Sequence, residues 1–216
     1  MSFVFKLNNI DTHCFLHIPK NGGSSLTETL KHYNPFYPDG WNGERPNPAF
    51  CGHHTYMESA NLFNNPYPFS LNCGSVKYFC ITRNPWDRMV SYYSYIRDTD
   101  PNLSGLHDYH KLLNEGLSFS SFVHSVVLDG RKVLRPQFHY IVDRMDEVVV
   151  HDMLKLENIQ DDLDRFLQRQ NLPPIEMVKI NTSNHNKYKD YYEDSHLIDM
   201  VGDFENGIIN HMGYQF

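Results

Sequence analysis

Residues 14–30 constrain the fold more than any other part of this 216-residue chain. The apolar run Cys14-Phe15-Leu16-His17-Ile18 reads as a strand, and Leu26-Thr27-Glu28-Thr29-Leu30 reads as a helix. Pro19-Lys20-Asn21-Gly22-Gly23-Ser24-Ser25 leaves room between them only for a tight turn. A helix start has N–H groups to spare, and glycine lets an anion come close to the backbone, so this stretch reads as a phosphate cradle. Lys20 adds a positive charge at its mouth. A second reading of the same residues stays open: Ser25 and Glu28 form an S-x-x-E pattern, which as a capping box needs no ligand.

A second strand-to-helix unit follows. Val76-Lys77-Tyr78-Phe79-Cys80-Ile81-Thr82 is a nearly continuous apolar run, as expected of a buried strand. It ends at Arg83, and Asn84-Pro85 opens a helix with a capping side chain and a proline in the first turn. Trp86, Met89, Val90 and Tyr93 fall on one face of that helix, which leaves Asp87, Ser91 and Ser94 or Tyr95 on the other. Arg88 is expected to pair with a carboxylate. Two such units predict a parallel sheet with helices packed outside it.

The rest of the chain fits the same scheme. Helices are predicted over 57–63, 118–128 and 158–169, and over 194–212 with a break near Gly202. Short strands are predicted at 147–150, 153–156 and 177–180. A short helix is expected within 107–114. Stretches 34–50, 64–75 and 98–117 read as long loops rich in Pro, Asn and Gly, the regions that tend to carry recognition. Tyr33, Tyr37, Trp41 and Tyr67 in or beside them could stack on sugar rings or belong to the core. With no internal repeat and no flexible linker, residues 1–216 read as one domain.

Composition narrows the function. A net charge of −7 argues against a broadly basic nucleic-acid binder but allows a local anion pocket. None of the four cysteines forms a CxxC pair, and Cys14 and Cys80 lie in strand-like runs, so reduced thiols in the cytoplasm are expected. The N-terminus has no signal-like apolar region, and no segment is long enough to span a bilayer. The 13 histidines are scattered without a metal-ligand pattern, so no metal is expected.

The order of residues in the first loop then separates nucleotide chemistries. A Walker loop needs lysine after its glycines. Here Lys20 precedes Gly22 and Gly23, so an ATP or GTP kinase loop fits poorly. Lys-x-Gly-Gly-Ser-Ser instead resembles the 5′-phosphosulfate loop of sulfotransferases, which use 3′-phosphoadenosine 5′-phosphosulfate (PAPS). Arg83-Asn84-Pro85-Trp86-Asp87-Arg88-Met89-Val90-Ser91 resembles the 3′-phosphate motif of that family. Gln137-Phe138-His139-Tyr140, Leu154-Lys155-Leu156-Glu157-Asn158, Asn181-Thr182-Ser183 and Gly213-Tyr214 also have counterparts there, so the resemblance runs from about residue 13 to the C-terminus. It looks closest to the carbohydrate branch, such as the heparan 2-O-sulfotransferases, though the N-terminal anchor and spacer of the membrane-bound animal members are missing.

This resemblance implies a three-layer α/β fold, with a central, mostly parallel sheet flanked by helices and a P-loop-like strand-loop-helix. It implies Lys20 at the breaking bond, with Asn21, Gly22, Gly23, Ser24 and Ser25 around the 5′-phosphate. Arg83 and Ser91 would hold the 3′-phosphate, and Lys187 and Tyr188 would close over it or the adenine. His53, in Gly52-His53-His54, matches the segment that supplies the base, with His54 as the alternative. The expected acceptor is a hydroxyl on a small molecule or glycan, the product PAP, and no metal or nucleic acid takes part. Two other classes stand beside it: a nucleotide-binding module without transfer activity, and an ATP-dependent phosphotransferase, which would require a Walker lysine and a Mg²⁺-holding pair.

Overall fold

The computed structural model describes residues 3–6, 12–33, 53–64, 76–99, 116, 118–128, 134–180 and 185–216. The expected loops at 34–50 and 64–75, the short helix within 107–114, Cys51 and Cys73 therefore lie outside the described residues, except for Asn64. The chain divides into two compact units, Met1–Thr82 with Gln137–Asn181, and Arg83–Pro136 with Thr182–Phe216.

The first unit is built on a four-stranded sheet in the order β1 (Phe3–Lys6), β2 (Thr12–Leu16), β3 (Val76–Thr82), β4 (Asp152–Lys155). β1 runs antiparallel to β2, while β2, β3 and β4 are parallel, with Leu16 opposite Cys80 and Thr82 opposite Lys155. The mostly parallel sheet expected from the two strand-to-helix units is therefore present. Alternation sends Phe15, Phe79 and Ile81 to one face, where they meet Leu26 and Leu30 of α1 (Gly23–Leu30). Leu163, Phe166 and Leu167 of α5 (Ile159–Arg169) complete this core. Phe79 stacks on Phe166 with ring centroids 4.7 Å apart. Tyr78 points to the opposite face and meets Tyr56 at the start of α2 (Tyr56–Asn64), so helices flank the sheet on both sides. Cys14 and Cys80 are free and buried, and burial pushes both thiols up out of the reactive range.

Two predicted strands do not form. Residues 147–150 make only an isolated bridge, Val142 with Val148. They fold back on 141–143 around a turn in which Asp143 Oδ1 accepts from the N–H groups of Met145 and Glu147. Residues 177–180 lie along α1 instead of joining the sheet. The Val178 N–H donates to Thr29 Oγ1 at 2.9 Å, and the Ile180 N–H donates to Ser25 Oγ at 3.1 Å. Helix hydroxyls thus satisfy the backbone donors that a neighbouring strand would otherwise take.

The second unit is helical. It contains α3 (Pro85–Asp98), α4 (Phe119–Leu128), α6 (Ser195–Phe204), α7 (Asn206–Met212) and a short 3-10 turn at Tyr188–Tyr191. Asn84 caps α3 as predicted, its Oδ1 accepting from Trp86 and Asp87 N–H. Phe119, Phe122, Val123 and Val126 form the buried face of α4, as their spacing predicts. Trp86 Nε1 donates to the Ile198 carbonyl, Tyr192 Oη donates to the Trp86 carbonyl, and Phe216 packs against Trp86 and Tyr192.

α3 is buried on more sides than its apolar stripe suggests. Ser91 and Ser94, expected on the outer face, are buried, and so is Arg88. Arg88 Nη1 donates to Glu205 Oε1 at 2.5 Å and to the Arg135 carbonyl at 3.1 Å, so the expected carboxylate partner is Glu205. The C-terminal helical region breaks at Glu205, between α6 and α7, and not at Gly202. Gly202 stays helical, 3.7 Å from Trp86 Cζ2 by its would-be Cβ.

Removing one partner of a buried ion pair strands the other charge, at a cost of about 3–5 kcal/mol. Arg88→Ala or Glu205→Ala should therefore lower urea-unfolding stability by that amount. The double change Arg88→Met with Glu205→Leu should recover most of it.

Candidate functional site: a glycine loop between β2 and α1

The turn between β2 and α1 takes its shape from two left-handed residues, Lys20 at φ 69° and Gly22 at φ 76°. Glycine occupies that region at no steric cost, whereas lysine is uncommon there. α1 starts at Gly23, with Gly22 as its N-cap, no side-chain cap and no acidic residue in its first turn. The capping-box reading of Ser25 with Glu28 therefore does not hold. Ser25 already lies inside the helix, and Glu28 pairs with Lys31 at 2.5 Å on the surface. A reciprocal box does form at α2, where the Thr55 N–H donates to Glu58 Oε2 and the Glu58 N–H donates to Thr55 Oγ1.

Both glycines are pressed against side chains. A Cβ on Gly22 would lie 2.7 Å from Leu156 Cδ1, and one on Gly23 would lie 2.3 Å from His17 Cδ2. Asn21 ties the loop down from below. Its buried Nδ2 donates to the Ile81 carbonyl and to Gln137 Oε1, each at 2.7 Å. Asn21 Oδ1 is buried without a donor among the described residues. The Ser25 hydroxyl both accepts from the Ile180 N–H and donates to the Ile180 carbonyl, which holds the 177–180 segment. A helix start without a cap or a nearby acid, approached through two glycines and a lysine, suits an anion.

His53 stands beside this loop and is exposed. Its Nδ1 lies 3.0 Å from the His17 carbonyl, and the two rings meet edge to face at 4.7 Å. His54 is half-buried, with Nδ1 out of solvent and without a partner among the described residues. Burial pushes its imidazole below the ordinary value, against an opposing pull from Glu58.

The first unit thus brings together Lys20 to Ser25 and His53. Arg83, Ser91, Lys187 and Tyr188 belong to the second unit. Arg83 directs Nε at 2.9 Å and Nη2 at 2.8 Å to Asp87 Oδ2, one helical turn on. Ser91 is 2% exposed. Lys187 is exposed, and Tyr188 packs edge to face on Phe216 at 5.7 Å. Two further residues shape the loop, His17 and Gln137, and no local sequence pattern marks either. Their parts depend on a close approach to a glycine and on a hydrogen bond across 116 positions, and neither leaves a periodic signal.

The sulfotransferase family model matches residues 8–201, and the chain belongs to that family. An uncharacterized protein of Archaeoglobus fulgidus is 30% identical over 112 residues, which cover 51% of this chain and 81% of that protein. The crystal structure of mouse sulfotransferase SULT7A1 complexed with PAP matches with a TM-score of 0.41 at 15% identity, covering 94% of this chain and 69% of that chain. Among the described residues, no helix is long and apolar enough to cross a membrane.

Gly23→Ala should cost about 1–3 kcal/mol, because the new methyl forces the His17 ring aside. Asn21→Ala should cost about 1–3 kcal/mol for the acceptors left unpaired on Ile81 and Gln137. Urea midpoints check both.

Proposed function

We propose that this protein transfers a sulfuryl group from PAPS to the hydroxyl of a saccharide or glycoconjugate, as a single domain in the cytoplasm. Membership of the sulfotransferase family supports sulfuryl transfer. The observation that carries the choice of donor is the loop itself: Lys20 ahead of Gly22 and Gly23, leading into a helix with neither a side-chain cap nor an acid in its first turn. The backbone N–H groups at the start of α1 hold the 5′-phosphate. Lys20 offsets the charge that grows on the bridging oxygen as the S–O bond breaks. Arg83 and Ser91 take the 3′-phosphate, the pairing with Asp87 holding the Arg83 fork in one orientation. Lys187 and Tyr188 close over the nucleotide.

His53 is the base, with His54 as the alternative on the next residue. The acceptor oxygen bonds to sulfur, PAP departs with the bridging electron pair, and the hydroxyl proton passes to the imidazole. This chemistry asks for no metal, because the donor brings its own leaving group. The saccharide acceptor rests on the likeness of Gly52-His53-His54 to the Gly-His segment of the heparan 2-O-sulfotransferases.

Titration with PAP, AMP and ATP, with and without Mg²⁺, tests the donor. PAP should bind most tightly, and preference for ATP-Mg²⁺ would overturn the reading. Transfer of labelled sulfate from PAPS to a panel of a heparan-derived oligosaccharide, simple glycosides and a phenol tests the acceptor, with the phenol expected to be poorest. Lys20→Ala should reduce kcat far more than it weakens PAP binding, and equal losses in both would remove Lys20 from the transition state.

A further inference from the structure

We infer that His17 is a positioning residue for His53, and that one imidazole sets the spacing between the anion loop and the proton acceptor. The inference rests on reading His53 as the base, but the geometry behind it is independent of that reading. A carbonyl oxygen can only accept a hydrogen bond. The 3.0 Å contact between His53 Nδ1 and the His17 carbonyl therefore puts a proton on Nδ1. In the neutral ring the lone pair then sits on Nε2, the nitrogen turned away from the His17 main chain. Free imidazole side chains prefer the opposite tautomer, so the contact selects the less common form.

The His17 side chain constrains the same ring a second way. Its imidazole meets His53 edge to face at 4.7 Å and 78°, which limits rotation about the hydrogen bond. The His17 ring also lies against Gly23, whose missing Cβ leaves the space the ring fills. His17 is itself held, 7% exposed and 5.7 Å from Phe15 between ring centroids. A buried, packed ring thus touches both the first residue of α1 and the exposed His53. In-line transfer depends on the separation of those two groups, and a misplacement of about 1 Å can cost about 10²-fold in rate.

Long-range ¹H–¹⁵N spectra of histidine-labelled protein read the tautomer of His53 directly, with His53→Ala used for assignment. Wild type should show His53 protonated at Nδ1. His17→Ala should give a tautomer mixture and lower kcat by about 10²-fold, with PAP affinity nearly unchanged. His17→Phe keeps an aromatic edge against His53, and should restore the Nδ1–H form and much of the rate. That variant separates positioning from a general loss of packing, and circular dichroism confirms that each variant is folded. Rates are taken with the best acceptor of the panel above. An Nε2–H tautomer in wild type, or an unchanged tautomer and rate in His17→Ala, would overturn the positioning role. Full turnover in His53→Ala would instead remove the base reading, whatever the spectra show for His17.

Discussion

The close approach of Gly22 and Gly23 to their neighbours is the constraint on which the site depends. Leu156 and His17 occupy the volumes where two Cβ atoms would otherwise stand. Because neither glycine carries a Cβ, both side chains can pack there while the chain leaves β2, passes through the left-handed positions at Lys20 and Gly22, and starts α1 without a capping side chain. Leu156 follows β4 and His17 follows β2, so the loop is clamped from two strands that run parallel in one sheet. Asn21 adds a third attachment at the end of β3, through the Ile81 carbonyl. Rigid strands therefore position the loop.

Polar groups inside the first unit do work that a larger sheet would do elsewhere. Thr29 and Ser25, one turn apart on α1, receive the N–H groups of Val178 and Ile180. Gln160 on α5 receives the Met177 N–H in the same way. The segment buries Met177 in the core, yet it belongs to no strand. In the second unit, the buried Arg88–Glu205 pair sits where α6 gives way to α7.

Long periodic elements were legible in the chain. β3 occupies the apolar run 76–82, α4 buries the residues its spacing names, and α5 spans nearly the predicted range. Short apolar runs misled, because Val148, Val149 and Val150 or Val178 and Ile180 look alike whether their N–H groups meet a strand, a turn or a hydroxyl. The apolar stripe of α3 puts Ser91 on the outer face, but that helix is enclosed on more sides than its stripe reveals. The S-x-x-E pattern suggests a cap at Ser25, while the structure places Ser25 inside α1 with its hydroxyl bonded to Ile180, 155 positions away.

The sequence alone determined the two strand-to-helix crossings, the glycine loop with its preceding lysine, and the family to which that order of residues points. These follow from local rules, since strand and helix periods, proline and asparagine at a helix start, and glycine at a turn act over a few residues. Only the tertiary structure decided which side chains fill the space beside Gly22 and Gly23, which hydroxyls hold the backbone at 177–180, and how His53 is oriented. Those depend on atoms brought within a few ångströms by packing, from positions far apart in the chain.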